Sequence, residues 1–277
     1  MKSQSKIFII TFSMLILAAQ SFAANEKDLS YKLQKGDKYN LNITNRQTIN
    51  MNMMGQSMNL IQNISINQEV FVAEKDDKNN YTLEMEYKRI QFQQNAMGME
   101  VNWDSDHPDT TDFMSKQIGA SLGKAIEKTI TAVIDSRGNP ISINKSEVIE
   151  QANSISGFES GMMVVYADKS VKEGETWQVT MKPDPNSDFV IVSEYKLDEI
   201  RGKTANISFI GTITGTQIMG ETADIKGTIT GKTQINVATG WIISASINQN
   251  MEMEMEQQGV KVPMQMSSFI EITSSNN

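Results

Sequence analysis

The sequence predicts a mainly β protein: one continuous, strongly curved antiparallel sheet, a half-barrel or open barrel, with a few helices packed on its concave face. Three observations predict it. Apolar and polar residues alternate with period two over most of the chain, the mark of strands with one buried face. Turn signals recur at short intervals, at Gly55-Gln56, Asp76-Asp77, Asn95 to Gly98 and Arg137-Gly138-Asn139-Pro140. Helical spacing is confined to the middle of the chain, and no Pro- or Ser-rich linker separates that stretch from its flanks. A single β-rich domain over residues 24–277 follows.

Residues 1–23 are expected to be a secretory signal peptide. Lys2 and Lys6 form a basic start, Ile7 to Ala19 an apolar run, and Ser21 and Ala23 the small residues of a cleavage site after Ala23. The run falls short of the ~20 apolar residues of a transmembrane helix. There is no Cys to anchor a lipid. The expected address is the periplasm or the exterior, with no transmembrane anchor in the mature form.

The strands begin with Leu41 and Ile43 and continue through Ile49, Met51 and Met53. Ile64, Ile66, Val70 and Val72 belong to the next, and Glu74 to Asn80 form a turn. Tyr81, Leu83, Met85 and Tyr87 alternate, Ile90 and Phe92 extend that strand, and Met97 to Trp103 give another. Asp112 caps a helix running to about Lys128, with Phe113, Ile118, Leu122 and Ile126 at helical spacing. Further short helices are expected within 146–165. Strands then resume from Phe189 to the end of the chain.

One repeat stands out: Gly211-Thr-Ile-Thr-Gly215 against Gly227-Thr-Ile-Thr-Gly231. The copies flank Met219-Gly220-Glu221 and are expected to pair as a long hairpin. Their glycines share a face with Ile213 and Ile229, where glycine bends a strand or admits something close to the backbone.

Composition bounds the function. With no Cys and one His, disulfide frameworks, thiol nucleophiles and two-histidine metal sites are excluded. A net charge of −8 without basic clusters argues against nucleic acid. There is no Gly-x-Ser-x-Gly elbow, Walker loop or dinucleotide fingerprint, so no catalytic residue is assigned and the chain is not expected to be an enzyme. Asp104, Asp106, Asp109 and Asp112 surround His107, but Pro108 and a missing Gly break the EF-hand pattern. That stretch reads as a solvated loop. Trp177 and Trp241, each just after a turn, are expected to anchor sheet edges.

Methionine is the conspicuous residue, at 19 positions. Met51/Met53, Met97/Met99, Met251/Met253/Met255 and Met264/Met266 lie two apart, which in a strand points each set to one face. Three readings stay open: gap-filling core, an adaptable apolar groove, or a Cu(I)/Ag(I) thioether site.

Four segments carry a resemblance: Tyr31-Lys-Leu-Gln-Lys-Gly36-Asp-Lys-Tyr39, Val133-Ile-Asp-Ser-Arg-Gly138, Gly174-Glu-Thr-Trp177 and Thr239-Gly240-Trp241. Through them the chain resembles a family of uncharacterised secreted β-rich proteins of gram-negative bacteria, a domain of unknown function. In architecture it is similar to the half-barrels of outer-membrane lipoprotein carriers, which hold acyl chains between sheet and helices. That similarity implies a non-catalytic envelope protein that binds a hydrophobic ligand and needs no cofactor. Met51, Met53, Met251, Met253, Met255, Gly211 and Gly227 are the expected lining residues. The alternatives are a structural or protein-interaction module with a packed core, its partner an envelope protein, and a soft-metal binder.

Overall fold

The computed structural model describes residues 26–53, 56–108, 111–126, 128–144, 164–182, 188–218, 221–257 and 260–276. The expected signal peptide and the helices expected within 146–163 lie outside them. Residues 164–167 are described and are not helical.

Among the described residues, twelve strands form one antiparallel sheet: β1 (Lys38–Met53), β2 (Gln56–Lys75), β3 (Tyr81–Ala96), β4 (Met99–Asp104), β5 (Thr129–Ile134), β6 (Pro140–Asn144), β7 (Thr176–Met181), β8 (Val190–Arg201), β9 (Thr204–Ile218), β10 (Glu221–Asn236), β11 (Ile242–Gln257) and β12 (Val260–Asn276). The spatial order is β6-β5-β3-β2-β1-β12-β11-β10-β9-β8-β7, with β4 also paired to β3. The predicted fold class is the observed one. Long hairpins make up most of the sheet, and the first and last strands pair at its centre, Ile43 opposite Ile272.

Local chemistry sets the register. Met97 and Gly98 both have positive φ, 54° and 80°, which suits a two-residue hairpin loop and pairs Ala96 with Met99. The Asp76 carboxylate accepts from the backbone N–H of Lys78 and Asn80 at 2.8 Å each, and Asp135 does the same for Arg137 and Asn139. The inner-face parity of β3 changes between Tyr87 and Ile90 because Lys88 is an extra residue there: Arg89 faces Asn67 and Tyr87 faces Gln68.

One face is mainly apolar. On β1, Tyr39, Leu41 and Ile43 are buried, while Asn42, Arg46 and Asn50 on the other face are exposed. Burying such a face is the main stabilising term, about 1.5–3 kcal/mol for each large side chain. The glycine repeats pair as the expected hairpin, Gly211 opposite Ile229 and Gly227 opposite Ile213.

Among the described residues there is one short helical segment rather than several helices. Asp112 caps it by accepting from Ser115 N at 2.7 Å. An α-turn over Phe113–Ile118 passes into a π-turn over Gly119–Gly123 and ends at Lys124–Ile126. Its Leu122 and Ala125 are buried, and Gly119 lies so close to the Trp103 indole that a Cβ there would meet Nε1 at 2.8 Å. Phe113 does not join that face: it is 68% exposed. The wider π-turn and the five-residue gap to Ile118 take it off the helix's inner stripe.

The sheet curls far enough to bring its edges together at one end, the base. Flat, eleven strands would separate the β6 and β7 edges by roughly 48 Å. Two adjacent residues span them instead. Tyr166 N donates to Arg137 O, in the β5–β6 turn, at 2.8 Å, and Val165 O accepts from Trp177 Nε1, on β7, at 2.9 Å. The segment before β1 crosses the same end: Tyr31 N donates to Ser136 O and Lys32 N to Thr239 O, both at 2.8 Å. Aromatic rings fill the base, Tyr31 edge-on to Tyr166 with ring centroids 5.2 Å apart and Tyr39 stacked on Trp241 at 4.2 Å. The two edges do not pair, so the sheet remains open. Trp177 sits on an edge strand as expected. Trp241 does not: it closes the base beneath the central strands, with Nε1 donating to Ser274 Oγ at 3.0 Å.

Candidate ligand-binding face

Away from the base, the inner face becomes methionine-rich. Strand register places its side chains in rows across the sheet. One row runs Ile225, Met253, Met264, Met51, Met58 on β10, β11, β12, β1 and β2. The row next to it toward the base runs Gly227, Met251, Met266, Ile49, Leu60. Beyond the first, Met255 lies between Ala223 and Val262. Met251, Met253 and Met266 are buried, and Met51, Met58, Met255 and Met264 are half-buried.

Of the expected lining residues, the fold therefore brings together Met51, Met251, Met253, Met255 and Gly227. Met53 pairs with Gln56 at the end of β1, and its side chain lies outside the described residues. Gly211 is separated from the methionines by β10. Each glycine makes room for a neighbouring strand. A Cβ on Gly211 would run into Ser193 Oγ and Val192 O, and one on Gly227 would meet Asn250 O at 2.6 Å and Met251 Cγ at 2.9 Å. Met97 and Met99 do not form a buried pair. Met97 is in the hairpin loop, and the two are 70% and 67% exposed.

The sequence reading missed the polar row immediately on the base side of the methionines. Gln249, Ser268, Gln47, Gln62 and Gln94 stand side by side on β11, β12, β1, β2 and β3. All but Gln94 are buried. Gln47 Nε2 donates to Gln62 Oε1, Gln62 Nε2 donates to Gln94 Oε1 at 2.7 Å, and Gln249 Nε2 donates to Met251 Sδ at 3.0 Å. In each strand the polar residue is flanked at inner-face parity, as Gln249 is between Ile247 and Met251, so along one strand it reads as a single interruption. Only the register shows that the interruptions align.

No buried polar side chain of the described residues is a Lys, Arg, Asp, Glu or His. Burial pushes the Tyr195 hydroxyl up to about 12 and raises those of Tyr31 and Tyr166 as well, so all three stay neutral. Charges lie outside. The Arg89 guanidinium holds the Asp104 carboxyl well below the usual carboxylate range, at 2.6 Å. His107 is exposed, and no group of three His, Cys, Asp or Glu fit to hold a metal occurs among the described residues.

One inner-face polar group stands apart. Gln68, 1% exposed between Leu41 and Tyr87, has neither amide atom hydrogen-bonded. An unsatisfied buried group costs about 1–3 kcal/mol. Gln68→Leu is expected to stabilise the protein by about 1–2 kcal/mol, raising Tm by roughly 2–6 °C. Thermal unfolding checks this, and an unchanged or lower Tm counts against it.

A cleft of about 400 Å³ opens elsewhere, along the free edge of β7, lined by Trp177 to Thr180 and by Val165 to Lys169. No helix among the described residues is long and apolar enough to cross a membrane.

No curated protein matches the sequence. Among solved structures the chain is similar to lipovitellin, in a structure describing its lipid–protein interactions, at 8% identity and a TM-score of 0.56. The match covers 87% of this chain but 25% of that one, so the chain spans about a quarter of lipovitellin's length. It also matches an outer membrane channel from Pseudomonas putida F1 (8% identity, TM-score 0.28, covering 88% of this chain and 97% of that one). A third match is the translocator domain of the autotransporter NalP from Neisseria meningitidis (7%, 0.26, covering 87% and 89%). Only the first superposes well enough to bear on the fold, which it shares as a large antiparallel sheet. The profile of DUF6263, a family of unknown function, matches residues 78–154 and 150–242, more than half of the chain, and the chain belongs to that family.

Proposed function

We propose that this is a secreted or periplasmic, non-catalytic binding protein that holds a hydrophobic ligand, acyl chains above all, against the methionine-rich half of its inner face. The observation that carries the reading is the thioether row Met253, Met264, Met51, Met58 on four adjacent strands. Flexible, polarisable side chains in that number adapt to an apolar guest of variable shape, where β-branched residues would fix one shape. The same sheet turns to Ile and aromatic residues toward the base, where packing is fixed by hydrogen-bonded turns. The likeness in fold to lipovitellin, studied for its lipid–protein interactions, supports the reading.

The test is native mass spectrometry of the protein purified from its secretory compartment, followed by organic extraction. A co-purifying lipid is the expected result. A bare-chain mass, unchanged by lipid vesicles, overturns the reading in favour of a packed interaction module. A mass increased only by Cu(I) overturns it in favour of a soft-metal site on the same sulfurs.

A further inference from the structure

Resting on that reading, we infer that the amide row Gln249–Ser268–Gln47–Gln62–Gln94 recognises an uncharged carbonyl linkage of the ligand. The guest is then a neutral acyl ester of the monoacylglycerol type rather than a free fatty acid. The row is placed for this role. It lies one step, about 7 Å, from the Gly227–Met251–Met266 row and two steps from the Met253–Met264–Met51 row. A chain lying on the methionines thus brings its polar end to the amides.

The chemistry of the row selects the end. Each carboxamide offers two N–H donors and an oxygen with two acceptor sites. Gln62 donates once, to Gln94, and accepts once, from Gln47, which leaves it a second N–H and a second lone pair. An ester carbonyl can accept from such an N–H, and a glycerol hydroxyl can donate to such an oxygen. A carboxylate fares differently. No buried side chain among the described residues carries a positive charge to pair with it. An unpaired buried carboxylate is costly. The net charge of −8 adds a repulsive field. A core without a polar guest would also be served better by Leu at these positions, since buried amides add little beyond mutual satisfaction.

The experiment compares 1-monopalmitoylglycerol with palmitate on the delipidated protein at pH 7.5, each below its aggregation threshold, using native mass spectrometry and intrinsic tryptophan emission. The monoacylglycerol is expected to bind at least tenfold more tightly. In the Gln47→Leu/Gln62→Leu variant, checked for wild-type circular dichroism, the preference should fall about tenfold. A second measurement needs no variant: the infrared band of an isotope-labelled ester carbonyl should move to lower frequency on binding the wild-type protein. Equal affinity for the two probes, a preference that survives in the variant, or an unshifted carbonyl overturns the inference while leaving the acyl-binding reading intact. Binding of neither probe overturns that reading itself.

Discussion

Gly240→Ala is expected to destabilise the protein by about 2–5 kcal/mol, a large part of the 5–15 kcal/mol that holds a typical domain folded. Two costs combine. Gly240 has φ +69°, a left-handed conformation that costs a residue with a Cβ about 1–2 kcal/mol. The added methyl would also fall on the Ser30 carbonyl, with Ser30 C at 2.7 Å and Tyr31 Cα at 3.0 Å. These are backbone atoms of the segment that crosses the base, so relief means moving that segment. Overpacking of this kind adds about 1–3 kcal/mol. The disturbance would spread, because Gly240 O accepts from the Tyr166 hydroxyl at 2.5 Å, and Tyr166 belongs to the pair of residues that ties the sheet's edges together. Gly174→Ala separates the two costs. Gly174 has φ +83°, but nothing lies within 4 Å of a Cβ there, so only the conformational cost of about 1–2 kcal/mol applies. Urea unfolding monitored by tryptophan emission compares the two. Equal losses would mean that the base does not depend on close approach at Gly240.

That base is where the four segments carrying the sequence resemblance meet. Tyr31 bonds to Ser136 in the turn that holds Gly138, Lys32 bonds to Thr239 next to Gly240, and Trp177 reaches Val165 beside Tyr166. What was most recognisable in the sequence is thus the device that curls the sheet and covers its base. The family resemblance speaks to architecture and leaves the methionine-rich face unspecified.

The strands were legible because period-two alternation is a local signal, and so was the glycine-repeat hairpin, whose copies flank their own turn. The Asp112 cap was legible for the same reason. Three features were not. The exposure of Met97 depends on a loop of two positive-φ residues, which converts a strand-like pair into a hairpin tip. The place of Trp241 beneath the central strands depends on β1 pairing with β12, a contact between the two ends of the chain. The amide row depends on several strand registers at once. Gln47 and Ser268 are 221 residues apart in sequence yet adjacent in the sheet, with Ser268 Oγ donating to Gln47 Oε1 at 3.4 Å.

Met253→Glu should abolish ligand capture, and its cost to the fold should depend on pH in a way that places the side chain. Met253 is 6% exposed, between Ile225 and Met264 in its row. A carboxyl introduced there has no cationic partner among the buried side chains, so its protonated form is favoured and its folded-state pKa lies above the unfolded value. Below about pH 4 the group is neutral in both states, and the penalty is the modest one of a buried, protonated acid. As pH rises past the unfolded value, the unfolded chain ionises first and stability falls, reaching a loss of about 4 kcal/mol near pH 7. Met253→Leu, close in volume and apolar, should cost under about 1.5 kcal/mol at every pH and keep lipid binding. The Leu variant also lacks the sulfur, so it would lower Cu(I) affinity if a soft metal were the true guest. Urea titrations at pH 4 and pH 7, together with lipid recovery from both variants, test the prediction. A Glu variant equally stable at both pH values would place position 253 in contact with solvent, and the methionine rows would then be surface rather than the wall of a binding site.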